Sequence, residues 1–312
     1  MAPPTTPRGQ AAGLAPRAPS RSRAVPLALG VAVLAISFAG TFFREAAPTH
    51  PLVAAGLRLA LVAVLLAPAI VRAARASLLD RRFLRHAALG GVAYAVHFGA
   101  WVASLGLTSV AASVTLVTAS PLILALIALA TGRDRPTPRI WLGLAVAVVG
   151  LALVGGADLA GNGTLAGAAL ALLGAAAIAV YLLLGRALGD RLDALAFSGL
   201  SAAGGAVLLL GVALALGIPL APPTGHAATF IVLTALVPHL VGHSLLTWSL
   251  RHTTPTVVGV ATLGEPVGAA IVAWLWLGEV VTPLTAAGCA VTLAGVAVAV
   301  TRRRPARRPA AA

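Results

Sequence analysis

Glu265 stands inside VATLGEPVGAAIVAWLWLGEVVTP (260–283), an otherwise almost wholly apolar run, and Pro266 follows it at once. A charged group at the centre of a bilayer costs about 2.5–3.5 kcal/mol or more, so an acid in such a run is a functional candidate by default. Arg58, inside PLVAAGLRLALVAVLLAP (51–68), is the second ionisable residue of this kind. Glu265 could bind a cationic part of a cargo or carry a proton. Arg58 and Glu265 could share a water-filled pocket, or form a static bridge that fixes helix packing. A further reading has Arg58 snorkelling, since it lies about two turns from the end of its run.

Pro121 and Pro266 each remove one backbone hydrogen bond in mid-run and should kink their helices. Around them lies a polar series of Ser113, Thr115, Thr118 and Ser120, then Thr256, Thr262 and Glu265. Thr115 with Thr118, and Thr262 with Glu265, are i,i+3 pairs on one helix face. They offer uncharged hydrogen bonding to a ligand, or bond their own backbone. His97 and Tyr94, one turn apart, could line a cavity. His239 and His243 are an i,i+4 pair with leucine where a metalloprotease motif has glutamate, so polar helix contacts or a cavity wall are expected of them, not a metal site. No cofactor is called for.

The elements that position these residues follow from composition. The chain of 312 residues is 59% hydrophobic and 10% charged, with a mean hydropathy of +0.98. A soluble chain of this size needs more surface charge. Apolar runs near the length of about 20 residues that a spanning helix needs recur throughout. Ten spans are expected: 26–43, 51–71, 87–105, 109–131, 139–156, 165–185, 194–217, 228–249, 255–277 and 284–301. The fold class is therefore an all-α polytopic membrane protein. The single cysteine, Cys289, excludes an intrachain disulfide framework.

The net charge of +14 would suggest nucleic acid in a soluble chain, but the 22 basic residues are all arginines lying mostly between spans. With the N-terminus in the cytoplasm, 20 of them fall on the cytoplasmic side, from Arg8 through Arg72, Arg133 and Arg191 to Arg308. Arg44 alone lies outside and Arg58 within a span. That split follows the positive-inside rule, with both termini cytoplasmic in a bacterial inner membrane. Anionic headgroups, not nucleic acid, are the expected partner of the arginines. Residues 1–25 read as a disordered cytoplasmic arm and 302–312 as a basic tail. Trp101, Trp248, Trp274 and Trp276 lie near span ends and suit interfacial anchoring, as do Tyr181 and Arg186.

The chain matches itself at an offset of 145 residues. SPLILALIALATGRD (120–134) falls on EPVGAAIVAWLWLGE (265–279). Pro121 meets Pro266, Asp134 meets Glu279, and Thr137-Pro138 meets Thr282-Pro283. Gly143 meets Gly288, and Gly150 meets Gly295. The repeat unit is five spans, giving a first half over 26–156 and a second over 157–301. An odd number of spans inverts the second copy in the membrane. Inverted repeats around a midplane site are the architecture of secondary transporters. The Thr-Pro pairs read as helix starts, threonine capping and proline at the first turn.

EPVGAAIVAWLWLGEVVTPLTAAGCAVTLAGVAVAV (265–300) resembles the closing helix pair of the EamA-type transporters of the drug/metabolite transporter superfamily. The first-half copy at 120–156 is similar, though Arg133 interrupts the usual Gly-Glu pair. PLVAAGLRLALVAVLLAP is similar to the second helix of that family, whose typical arginine would be Arg58. The resemblance implies a secondary transporter that exports, or sometimes imports, a small metabolite such as an amino acid, or a drug, and the reading of Glu265 as a proton carrier makes protons a candidate coupling ion. A homodimer is among the assemblies it allows. A non-transporting receptor or scaffold is the alternative, and a membrane-embedded enzyme a more remote one.

Overall fold

The computed structural model describes residues 24–132, 136–159 and 163–300. The N-terminal arm up to 23, the tail from 301, and Arg133, Asp134 and Arg135 lie outside them. The helices are α1 (Ala24–Glu45), α2 (Pro51–Leu65 continued by Ala67–Arg75), α3 (Arg81–Ser104), α4 (Val110–Thr131) and α5 (Pro138–Leu159). They continue as α6 (Leu165–Ala187), α7 (Ala194–Ala215), α8 (Gly225–Ser249), α9 (Pro255–Leu277) and α10 (Pro283–Val300). Among the described residues no strand occurs. Eight of these helices are long and apolar enough to cross a membrane, and the bent α2 makes a ninth. The apolar stretch of α10, Pro283–Ala299, is shorter.

Helix starts follow local chemistry. Asp80, Ser109, Thr164, Asp193, Thr224 and Thr254 each accept a bond from the backbone N–H three residues on. Thr137 and Thr282 cap α5 and α10 in the same way, as their pairing with Pro138 and Pro283 predicts. Two breaks were not foreseen. The expected straight span at 51–71 bends by 48° at Leu66, where Pro68 opens the next segment. Within α8, residues Ala235–His243 form a π-helix around Pro238, whose missing N–H cannot close an α-turn.

The two halves pack by exchange of equivalent helices. The first part of α4 (Val110–Val117) lies on the second part of α9 (Glu265–Leu277), and Ser120–Thr131 lies on Pro255–Thr262. α2 packs on α7, α3 on α6, and α1 on α8. Along α5 and α10 the contact is glycine on backbone. A methyl built on Gly143 would sit 2.5 Å from the Gly295 carbonyl oxygen, and one on Gly150 would sit 2.5 Å from that of Gly288. Residues 143 and 288 are repeat equivalents, as are 150 and 295. The seam thus pairs each glycine with the equivalent of the other, which only antiparallel helices related by a two-fold exchange can do.

Charge marks the two ends. At the arginine-rich end Arg72 pairs with Asp193 at 2.9 Å and Arg191 with Asp80 at 2.8 Å. The bond from the Phe83 N–H holds the Asp80 carboxyl below its usual range, with Arg191 adding to the effect. At the opposite end Arg44 donates to the Thr108 carbonyl at 2.6 Å. There Glu45 meets His226 at 2.8 Å and the Trp276 indole at 3.1 Å.

Candidate functional site

Pro121 and Pro266, expected to remove a hydrogen bond in mid-run, instead each occupy the first turn of a resumed helix, where the missing N–H costs no bond. α4 is interrupted at Thr118-Ala119 and α9 at Leu263-Gly264, so Pro121 and Pro266 lie in the first turns beyond matching breaks. The break leaves Glu265 at the start of a helical segment, where the local dipole favours negative charge. Its side chain is buried and borders a chamber of about 40 Å³ in the middle of the molecule. That is room for roughly three waters.

The chamber draws on both halves. From the first come Thr118, Ser120, His97 and Trp101; from the second, Thr262, Glu265, Tyr181, His243 and Thr247. Of the expected residues, Glu265, Thr262, Thr118, Ser120 and His97 therefore converge. The hydroxyls are partly spent on their own helices. Thr118 donates to the carbonyls of Val114 and Thr115, and Thr262 to that of Gly259 at 2.7 Å. Ser113 is bonded to Ser104, and neither Thr115 nor Thr256 borders the chamber. His97 is oriented by a 2.9 Å contact of Nδ1 with the Gly174 carbonyl.

Four expected residues, Tyr94, Arg58, Pro121 and Pro266, do not border the chamber. Tyr94 is fully buried behind it, stacked on Tyr181 at 4.0 Å between centroids. Arg58 neither borders it nor pairs with Glu265, and it does not snorkel, its side chain being fully buried. Its guanidinium lies over Phe98 at 4.3 Å and near Phe43 at 5.4 Å. Pro121 packs beside Gly259 of α9. Two expected interfacial anchors are also corrected. Trp101 and Tyr181 are buried at 3% and 1% exposure, because α3 and α6 pack face to face there, whereas Trp274 and Trp276 are about half exposed.

Sequence reasoning missed the aromatic layer itself. Tyr94, His97, Phe98 and Trp101 stand at i, i+3, i+4 and i+7, one face of α3, which was a legible signal. Facing them from α8 are His239, 5.5 Å from Phe98, and His243, 5.3 Å from Phe98. Tyr181 on α6 closes the layer and shares a 3.1 Å hydrogen bond with Thr247. Among the described residues no group of three or more His, Cys, Asp or Glu side chains is placed to hold a metal ion.

Fold and chamber together define a multi-pass helical membrane protein whose two repeats enclose a buried acid. The chain belongs to the EamA-like transporter family, whose model matches residues 23–156 and again 165–301. It is thus a membrane transporter of small molecules by family. No curated protein matches it. A solved structure titled "Crystal structure of protein" is similar in fold, with a TM-score of 0.69 and 19% identity over 90% of this chain and 98% of that one.

Proposed function

We propose that the chain is a secondary transporter that carries a small metabolite, such as an amino acid, or a drug across a bacterial inner membrane by alternating access. Export is the direction, and Glu265 carries the coupling proton. In this reading the bent α2 and α10 complete ten spans in two inverted halves, both termini lying at the arginine-rich, cytoplasmic side.

The observation that supports this best is the setting of Glu265. It is a buried carboxyl group where both halves meet, beside a chamber that the hydroxyls of Thr118, Ser120 and Thr262 also border, and among the described residues it makes no ion pair within 4 Å. A carboxyl so placed can gain and lose a proton as the halves rock. The chamber is too small for a metabolite as it stands, so binding must come with helix movement at the breaks in α4 and α9.

The test is transport in vesicles with and without a pH gradient, using labelled amino acids and cationic dyes. Glu265→Gln should abolish gradient-driven movement while the protein keeps its unfolding transition. Wild-type rates in that variant would reduce Glu265 to a packing residue.

A further inference from the structure

We propose that Arg58 and His239 form a buried anion subsite that takes a carboxylate group of the cargo, one residue coming from each half of the protein. This deepens the transporter reading and rests on it for the cargo, but not for the binding itself.

The guanidinium of Arg58 is fully buried, and none of its three nitrogens has a hydrogen-bond partner. Phe98 and Phe43 attract the cation through their rings. Ring contacts leave N–H groups unbonded, and these are what a carboxylate accepts in a two-point pair. Buried donors are almost always satisfied in native proteins, so an unmet set calls for an acceptor.

His239 supplies the second, independent observation. It is likewise fully buried, and both its ring nitrogens lack a partner. It sits in the π-helical segment of α8, a local form that recurs at functional sites. Its ring is 5.5 Å from that of Phe98, which carries Arg58 at 4.3 Å, so the two polar groups share one aromatic neighbour. Tyr94, whose ring lies 5.3 Å from that of His239, adds a buried hydroxyl to the same region. A neutral imidazole has one N–H to donate whichever tautomer is present, so it complements an anion held by Arg58.

The chamber explains the rest of the ligand. His243 joins the two regions, since it packs 5.1 Å from His239 and also lines the chamber with Glu265. A molecule with a carboxylate and an amine could then span from Arg58 to Glu265.

The test compares acids with their amides, which match in shape and differ in the negative charge. Binding of L-alanine, L-leucine, L-threonine and L-phenylalanine, and of the four carboxamides, is measured on the full chain in detergent by tryptophan fluorescence and thermal shift. At least one acid should bind roughly tenfold or more tightly than its amide. Arg58→Met should bring that ratio to about one, Arg58→Lys, which keeps the charge but cannot make the two-point pair, should leave an intermediate ratio, and His239→Phe should lower it. Equal binding of acids and amides, no binding of any acid, or a ratio that survives Arg58→Met in a folded protein would overturn the subsite. The wild-type comparison decides even where a variant fails to fold. Loss of the transporter reading through Glu265→Gln would leave this ratio unaffected, so the two failures are distinct.

Discussion

Glu45 and Trp276 are joined by a hydrogen bond of 3.1 Å from the indole N–H to the carboxylate, which ties α1 to α9 at the arginine-poor end. The same carboxylate meets His226 of α8. Beside it Phe42, Phe230 and Trp276 pack together, Trp276 edge to face with both phenylalanines, with centroids 5.6–6.0 Å apart. We predict that together they restrict access from that end to the chamber. Cutting the polar part, with Glu45→Ala and Trp276→Phe, removes roughly 1 kcal/mol and should shift opening about fivefold. The measure is the labelling rate of Ala39→Cys, a chamber position, by an impermeant maleimide added from outside in a Cys289→Ala background. An unchanged rate would mean that these contacts do not restrict access.

Arg58 should be costly to the fold. Even a buried ion pair replaced by apolar side chains of similar volume is often neutral or stabilising, by about 1–4 kcal/mol, and a buried charge without an ion-pair partner has less attraction to lose. Loss of the aromatic contacts offsets part of that by removing about 2 kcal/mol. The expected unfolding midpoint of Arg58→Met is therefore equal to or above that of the wild type. A fall of several degrees would show that Arg58 holds the helices together.

The glycine seam should tolerate nothing larger. At Gly150 even a methyl would meet the Gly288 backbone, which cannot swing aside, so Gly150→Ala should destabilise by about 1–3 kcal/mol. Gly156, which has open space around it, is the control. Gly156→Ala should leave the transition unchanged or slightly raised, since alanine favours a helix. Thermal unfolding of both variants in detergent separates seam packing from helix propensity.

Asp80 sets an acid limit outside the membrane. Its carboxyl titrates lower folded than unfolded, because the Phe83 N–H and Arg191 favour the charged form. A depressed folded value means that its contribution is present above the unfolded value of 3.8 and is lost as pH falls through the folded one. Asp80→Asn should therefore flatten the decline in unfolding midpoint below about pH 4. A decline of undiminished slope would show that the cap adds nothing.

Much of this arrangement was legible because glycine, proline and charge are informative even in an apolar chain. The matched glycines of α5 and α10, the paired prolines beside the breaks and the threonine caps all stand where the sequence set them. The faces of the helices were not legible. In a bilayer, lipid tails are as apolar as leucine, so hydrophobicity does not separate a packed face from a lipid-facing one. Trp101 and Tyr181 were misplaced for that reason. The sequence leaves open whether Arg58 bridges to Glu265 or shares a pocket with it, and among the described residues no ion pair joins them. Opposite charge predicts attraction, but a guanidinium can also be held by aromatic rings, and the sequence does not rank the two.

The seam between α5 and α10 has one more implication. Because each glycine meets the counterpart of the other, the contact reads the same from either side. Two identical five-helix chains, inserted in opposite senses, would fit along it as well as this fused pair does. Gene fusion would have had to join two ends, and could leave that surface untouched.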